Sequence, residues 1–510
     1  MEQLSAMDAS FFYLESPAVP QHVLGVMLLD AAGSGGAYSY ERFRQQLDDR
    51  VHLMPAFQRR PVQAPFHLDH PYWVHDHDLV IDDHLHRATL PAPGDLKALG
   101  TFVGKIGSTL LPRDRPLWEL WIVDGLATGQ VAMVSKMHHS TIYGSAGSDM
   151  MAHLLDLSPD VREVEPAPEI PVEPLPSNVA LLRLAAANGA RRPVKTVQSA
   201  FGAVKRVGAL APMIAAPFSS KPSATLPFSA PRTLINGRLT EGRDTAFTRV
   251  DFEDIKTIKN AFGTKVNDVV LAAVTSSLRQ YLLARGGLPG KPLVASVPMN
   301  VGAGAVAGTD KITALMVPLP VQTRDAVGRL KEVAAFSVES KGFTDALGVD
   351  TVGEMAELVP PLLMVGGSKL YDGMGLSRFH PPLQSLIVSN MPGPPIPLYL
   401  AGARVDGVYP FGPLLPGSGL NITVLSNMGN LDVGLIACPS LVPDLWDIAN
   451  GFPKAVAELL AAAKALTGEP PAPAKKAVAA KTADAAKKAP VAAKKVPAKK
   501  APVKKAPGSV

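Results

Sequence analysis

Two adjacent histidines, His138 and His139, end a run of residues, 130–139, whose apolar side chains alternate as they do in a strand. A turn rich in small residues follows and leads into a helical pattern. The sequence therefore predicts an imidazole at the end of a secondary-structure element, facing a cleft. Imidazole suits general-base chemistry near neutral pH, and a positioned base accelerates a reaction roughly 10²–10⁴-fold.

Two other interpretations of the histidine pair stay open. An arbitrary pair of this kind is more often a hydrogen-bonded part of the core. A metal site is less favoured, because neighbouring side chains of a strand point to opposite faces and no cysteine or HxxxH partner lies nearby. We therefore expect no metal.

Composition bounds the class of protein. The chain has 510 residues, 47% hydrophobic and 19% charged, which excludes a wholly disordered protein and allows several domains. The net charge of +5 comes from residues 469–510, which hold eleven lysines and two acids, so it does not indicate nucleic-acid binding by the folded part.

The lone Cys438 excludes an intramolecular disulfide and favours a reducing compartment. No leader and no membrane-spanning stretch is recognisable, so a cytoplasmic location is expected.

Helical and strand patterns alternate in two blocks, which predicts an α/β fold of two lobes. The predicted boundaries are 1–158 for the lobe with the histidines, 159–244 for a Pro-rich and basic crossover, 245–468 for the second lobe and 469–510 for a disordered tail. The strands are expected at 23–29, 130–139, 293–298, 312–319, 385–389 and 420–426, and the helices at 40–53, 267–282, 324–340 and 446–465.

Two basic segments have alternative interpretations. Residues 174–240 contain no acid and nine basic residues, which fits either a solvated connection or an interfacial segment that meets anionic lipid. The lysine-rich tail could bind polyanions non-specifically or lie on an anionic membrane, and a plain solvated tail is the third possibility. The lipid interpretation is modestly favoured for the first segment.

Six short motifs occur in a single order along the chain. They are LSAMDASFF at 4–12, RPLWELW at 115–121, HHSTIYG at 138–144, VNDVVL at 266–271, SNMPGP at 389–394 and GLNITV at 419–424. Together, over residues 1–465, they resemble the bacterial wax ester synthase/acyl-CoA:diacylglycerol acyltransferase family.

The resemblance implies a two-lobed fold like that of the CoA-dependent acyltransferases, with a tunnel between the lobes. It implies that a long-chain acyl group passes from acyl-CoA, a substrate rather than a cofactor, to diacylglycerol or a long-chain alcohol at a membrane or lipid-droplet surface. Matched to the family's motif, His139 is implied to be the general base. The supporting residues are His138, Tyr143 and Gly144; the structural motif residues are Pro116, Leu117, Trp118, Asn267 and Asp268; the oxyanion candidates are Asn421 and Thr423. From the residues themselves, Asn267 reads as a helix N-cap.

Two departures from the family pattern bear on activity. Tyr143 stands where the motif has an Asp, and Gly302 stands where an Arg partner of that Asp is expected. Because both partners of a buried pair are absent together, we expect the lobe geometry to survive with altered positioning of His139. A catalytically impaired relative that binds acyl-CoA or neutral lipid is the rival interpretation.

Overall fold

The computed structural model describes residues 1–35, 38–141, 146–168, 171–172, 174–190, 229–303, 310–347, 361–375 and 379–468. Its strands are β1 Glu2–Gln3, β2 His22–Asp30, β3 Arg59–Val62, β4 Tyr72–His75, β5 Leu85–Thr89, β6 Trp118–Asp124, β7 Val131–His138, β8 Asp244–Asp251, β9 Leu293–Ala303, β10 Asp310–Leu319, β11 Leu386–Met391, β12 Tyr399–Leu400, β13 Ala403–Phe411, β14 Leu420–Asn427 and β15 Asn430–Ala437.

Its helices are α1 Ala6–Leu14, α2 Tyr40–Arg50, α3 Leu96–Gly107, α4 Ala146–Leu154, α5 178–190, α6 Phe252–Phe262, α7 Val266–Ala284, α8 Ala326–Leu347, α9 Pro361–Gly373 and α10 Leu445–Thr467. The predicted α/β class with two lobes is confirmed. The predicted segment boundaries stay predictions, and the tail lies outside the described residues.

The first lobe is built on a six-stranded sheet with the order β12-β13-β2-β7-β6-β5. Strand β7 lies between β2 and β6, and all eight of its residues are buried. Both faces of β7 are therefore covered, and the strand corresponds to the alternating pattern of residues 130–139. The central position of β7 holds its last residue, His138, deep in the molecule.

The second lobe is built on a sheet with the order β10-β9-β11-β14-β15-β8. Helices α6, α7, α8 and α10 contribute to the large apolar core of this lobe. The predicted stripe Leu271, Val274, Leu278 and Leu282 is buried on α7, as expected. The predicted cap at Asn267 is wrong: the helix is capped at Lys265, because the Asp268 carboxylate accepts the Lys265 backbone N–H at 2.9 Å and starts the helix earlier.

The two sheets are joined by a strand that changes lobes. Strand β13, from the second half of the sequence, pairs antiparallel with β2 of the first sheet. It also packs against β15 of the second sheet, and Gly434 on β15 lies against the backbone of Pro410 on β13. A third apolar cluster contains residues of both sheets, including Val26 and Ile436. The lobes therefore share a strand junction and an apolar core.

This junction has a testable consequence. A Cβ added at Gly434 would overlap the Pro410 carbonyl, so Gly434→Ala must push the two backbones apart. Overpacking of this kind costs about 1–3 kcal/mol. We expect a lower denaturant midpoint for Gly434→Ala. Gly290→Ala, whose Cβ would meet nothing within 4 Å, is the control and should unfold like the wild type. Equal midpoints for both variants would contradict the close approach.

Candidate active site

The main chain fixes the histidine pair between two neighbouring strands. His138 is the last residue of β7, and its N–H donates to the Leu117 carbonyl at 3.0 Å. His139 begins a short 3₁₀ turn, and its N–H donates to the Gln21 carbonyl at 2.7 Å. Both histidines were predicted to end the strand; His139 lies one residue beyond it. Their backbones are hydrogen-bonded to Leu117, just before β6, on one side and to Gln21, just before β2, on the other.

The side chain of His138 is buried among polar and aromatic neighbours. Its Nδ1 lies 2.6 Å from the Ser140 hydroxyl, and its Nε2 lies 3.3 Å from Oε1 of Glu15. The Phe12 ring stacks on the imidazole, with centroids 4.4 Å apart. The Thr141 hydroxyl donates to the His138 carbonyl at 2.7 Å. His138 is thus hydrogen-bonded through Nδ1 and covered on one face, while its Nε2 faces the Glu15 carboxylate without a hydrogen bond in the described part of the chain.

His139 is only half-buried, and the Phe11 ring packs against it with centroids 4.1 Å apart. Desolvation lowers the pKa of His139 to about 4, with a smaller contribution from the nearby His138. Its Nδ1 is buried and has no hydrogen-bond partner in the part of the chain that the structure describes. At pH 7 the imidazole is therefore neutral and can accept a proton.

Sequence reasoning missed three residues next to this pair. They are Glu15, His22 and Arg113. Glu15 is the C-cap that follows α1. Its Oε1 lies 3.5 Å from Nε2 of His22, and its Oε2 lies 2.7 Å from Nη2 of Arg113. His22 lies directly opposite His138 in the β2–β7 register. The available signal was the spacing of Phe11, Phe12 and Glu15, which puts all three on neighbouring faces of one helix.

The pKa values of Glu15 and His22 are both lowered in this cluster, for different reasons. Desolvation acts to raise the pKa of Glu15, but contacts with His138 and Arg113 outweigh it and lower the pKa to about 2. Burial lowers the pKa of His22 well below its usual range, and the nearby Lys136 lowers it further. Lys136 is itself buried, with Nζ 3.0 Å from the Thr109 hydroxyl and 3.4 Å from Glu119. The carboxylate is thus charged while His22 is neutral.

The PLW motif, which is Pro116, Leu117 and Trp118, packs beside the histidines. Trp118 is buried between the rings of Phe57 and His84, at centroid distances of 4.4 and 4.3 Å. Its indole N–H donates to the Phe57 carbonyl at 3.0 Å. Pro116 precedes the strand, and the Leu117 carbonyl receives the His138 N–H. These contacts place Trp118 in the core and Leu117 against the main chain of His138.

The remaining predicted residues lie in different places. Tyr143 and Gly144 fall outside the described residues, and Gly302 lies near the end of β9. Asp268 caps the core helix α7, next to Asn267. On β14, the Asn421 amide donates to the Pro413 carbonyl at 2.9 Å, and the Thr423 hydroxyl donates to Asn421 Oδ1 at 3.1 Å.

Asn421 is linked to the histidine pair through residues 413–414 and Gln21. Gln21, whose carbonyl accepts the His139 N–H, lies with its own amide 3.5 Å from the Leu414 carbonyl, next to Pro413. Over the described ranges, no group of three or more His, Cys, Asp or Glu could hold a metal ion, and no helix is long and apolar enough to span a bilayer.

Two family models match this chain. They are the wax ester synthase/diacylglycerol acyltransferase catalytic domain, over residues 4–270, and the WS/DGAT C-terminal domain, over residues 309–460. A Mycobacterium tuberculosis protein named as a diacylglycerol O-acyltransferase is 37% identical over 470 residues, which cover 90% of each chain. A second M. tuberculosis protein of that name is 32% identical and covers 87% of this chain and 96% of its own.

Solved structures agree with these matches. The wax ester synthase/diacylglycerol acyltransferase from Marinobacter aquaeolei VT8 superposes with a TM-score of 0.65 at 26% identity, over 91% of this chain and 100% of that one. The first condensation domain of the calcium-dependent antibiotic synthetase has a TM-score of 0.52 at 15% identity, over 91% of this chain and 96% of its own, which shows a shared fold.

The two-lobed fold and the family matches define an acyltransferase. The chain belongs to the wax ester synthase/diacylglycerol acyltransferase family, and its reaction uses acyl-CoA. The family resemblance inferred from the six motifs is thereby confirmed.

The environment of His139 can be tested by changing its aromatic neighbour. Phe11→Ala would let water reach the imidazole, so the pKa of His139 should rise from about 4 toward its ordinary value of 6.5. Phe11→Leu keeps an apolar cover and should leave the pKa low. Titration of the His139 ring protons by NMR measures both. A pKa near 6.5 in the wild type would contradict the desolvated site.

Proposed function

We propose that this enzyme transfers a long-chain acyl group from acyl-CoA to the free hydroxyl of diacylglycerol, with His139 as the general base. The observation that carries the proposal is the neutral, half-buried imidazole at the end of a fully buried strand. The names of the M. tuberculosis relatives support diacylglycerol as the acceptor. The name of the Marinobacter enzyme also includes wax ester synthesis, so a long-chain alcohol is the second candidate acceptor.

The proposed reaction needs no covalent enzyme intermediate. His139 takes the proton of the acceptor hydroxyl as its oxygen attacks the thioester carbonyl carbon. The tetrahedral intermediate collapses with cleavage of the C–S bond, and the CoA sulfur leaves with the proton returned by the imidazolium. Asn421 is the candidate oxyanion donor: one of its amide hydrogens is used by Pro413, which leaves the second for the substrate.

The proposal includes docking at a lipid surface, because diacylglycerol and its ester product do not dissolve in water. Helix α9 exposes Leu362, Leu363 and Leu370, at 52%, 64% and 59% of their surface. Its inner side chain Val365 belongs to the same apolar cluster as Phe12 of α1, which stacks on His138. An exposed apolar helix face one layer from the histidines suits entry of a lipid acceptor.

The function is tested by product formation from labelled palmitoyl-CoA, with dioleoylglycerol and hexadecanol supplied separately. We expect triacylglycerol as the main product and a loss of at least about 100-fold in His139→Ala, because a general base contributes roughly 10²–10⁴-fold. Unchanged activity in His139→Ala would exclude His139 as the base.

If neither acceptor gives a product while palmitoyl-CoA still binds, the protein is better described as a catalytically impaired family member. Tyr143 and Gly302, which depart from the family pattern, motivate this alternative. The double variant Tyr143→Asp, Gly302→Arg would then be assayed for restored activity, since it returns both residues that the family pattern expects.

Docking through α9 is tested by replacing Leu362, Leu363 and Leu370 together with Gln, which keeps a good helix former at each position. Burial of a leucine contributes roughly 1.5–3 kcal/mol, so binding to dioleoylglycerol-containing phosphatidylcholine vesicles should weaken at least about tenfold. Assays at about 0.5 M salt suppress the contribution of the lysine-rich tail.

The control replaces Val338 and Leu466, which are 65% and 63% exposed on other helices, with Gln. It should bind like the wild type. Equal weakening in both variants, or none in the α9 variant, would refute docking through α9.

A further inference from the structure

Helix α1 covers both histidines with one set of side chains. Phe11 packs on His139, Phe12 stacks on His138, and Glu15 follows one turn later, where its backbone N–H donates to the Phe11 carbonyl. Residues three and four apart lie side by side on a helix, so this spacing directs the two rings and the carboxylate to one site.

Glu15 is almost fully withdrawn from water. Its side chain is 2% exposed, and its Oε1 lies between Nε2 of His138, at 3.3 Å, and Nε2 of His22, at 3.5 Å. Its Oε2 meets the guanidinium of Arg113 at 2.7 Å, and that guanidinium also lies 5.0 Å from the centre of the Phe12 ring. A buried carboxylate is costly unless it is paired, so this arrangement requires all of its partners.

The hydrogen bonds of His138 determine which ring nitrogen carries the proton. The Ser140 backbone N–H donates to Nδ1 of His138 at 3.3 Å, so Nδ1 is an acceptor. In the neutral imidazole the proton must then be on Nε2, the nitrogen that faces Glu15. The Ser140 N–H at Nδ1 and the negative charge of Glu15 facing Nε2 therefore favour the same tautomer of His138, Nε2–H.

We propose that Glu15 is a positioning residue of the acyl transfer: it holds His138, and through it the strand end from which His139 projects. The inference rests on the proposed function, in which His139 is the base. Residues 138–144 contain no acid, and Glu15 supplies a carboxylate that contacts His138. Small misplacements of a reacting group can cost about 10²-fold in rate.

The kinetic test compares two replacements with a control on the same helix. Glu15→Gln keeps an acceptor oxygen but removes the charge, whereas Glu15→Met removes both. We expect kcat to fall about tenfold and about 100-fold, respectively, with the KM for palmitoyl-CoA within about twofold of the wild type. Asp8→Asn changes another carboxylate of α1, which accepts the Ser5 hydroxyl at 2.7 Å, and it should leave kcat unchanged.

A double-mutant cycle identifies the residue through which Glu15 acts. In a His138→Gln background, Glu15→Gln should lower kcat by less than about twofold, because the contact between Glu15 and His138 is already absent. Multiplicative effects of the two changes, or wild-type kcat in Glu15→Met, would overturn the proposal.

A second readout does not depend on activity. The ¹⁵N shifts of the His138 ring should report the Nε2–H tautomer in the wild type and a mixture of tautomers in Glu15→Met. An unchanged tautomer in Glu15→Met would also overturn the inference. If His139→Ala stays active while the tautomer responds to Glu15, then the proposed function fails and the contact between Glu15 and His138 stands.

Discussion

The cluster of side chains around the buried Glu15 carboxylate is the constraint on which the histidine site depends. One buried carboxylate from α1 meets β7 at His138, β2 at His22 and, at Arg113, the loop that precedes the PLW motif. These elements come from separate parts of the sequence, and the cost of burying the charge is recovered only when they are assembled. The cluster therefore links the packing of the first lobe to the orientation of the imidazole pair.

The shared strand junction extends this constraint to the second lobe. Strand β13 pairs with β2, whose first residue is His22, and it packs against β15, where Gly434 permits the backbones to touch. Asn421 on β14 and Gln21 before β2 meet at residues 413–414, which continue from the end of β13. The proposed base on one lobe and the oxyanion candidate on the other are thus connected to the same junction.

Local patterns predicted much of this architecture, and contacts distant in sequence were missed. The strand before His138 and the apolar stripe of α7 were recognised because periodicity is a local property. The Glu15 cluster was missed because it depends on the β2–β7 register, and the pairing of β13 with β2 joins residues far apart in the chain. The Asn267 cap failed because the Asp268 carboxylate satisfied the competing Lys265 N–H.

The central claim is that a desolvated, neutral His139 accepts the proton of the acceptor hydroxyl. The pH dependence of kcat/KM for palmitoyl-CoA, measured from about pH 5 to about pH 9, tests it most directly because kcat/KM reports the pKa of the base in the free enzyme. A pKa of about 4 for His139 predicts a flat profile through neutrality. A fall in kcat/KM with an apparent pKa near 6.5, absent from His139→Ala, would mean that the base is a solvated imidazole and would contradict the account.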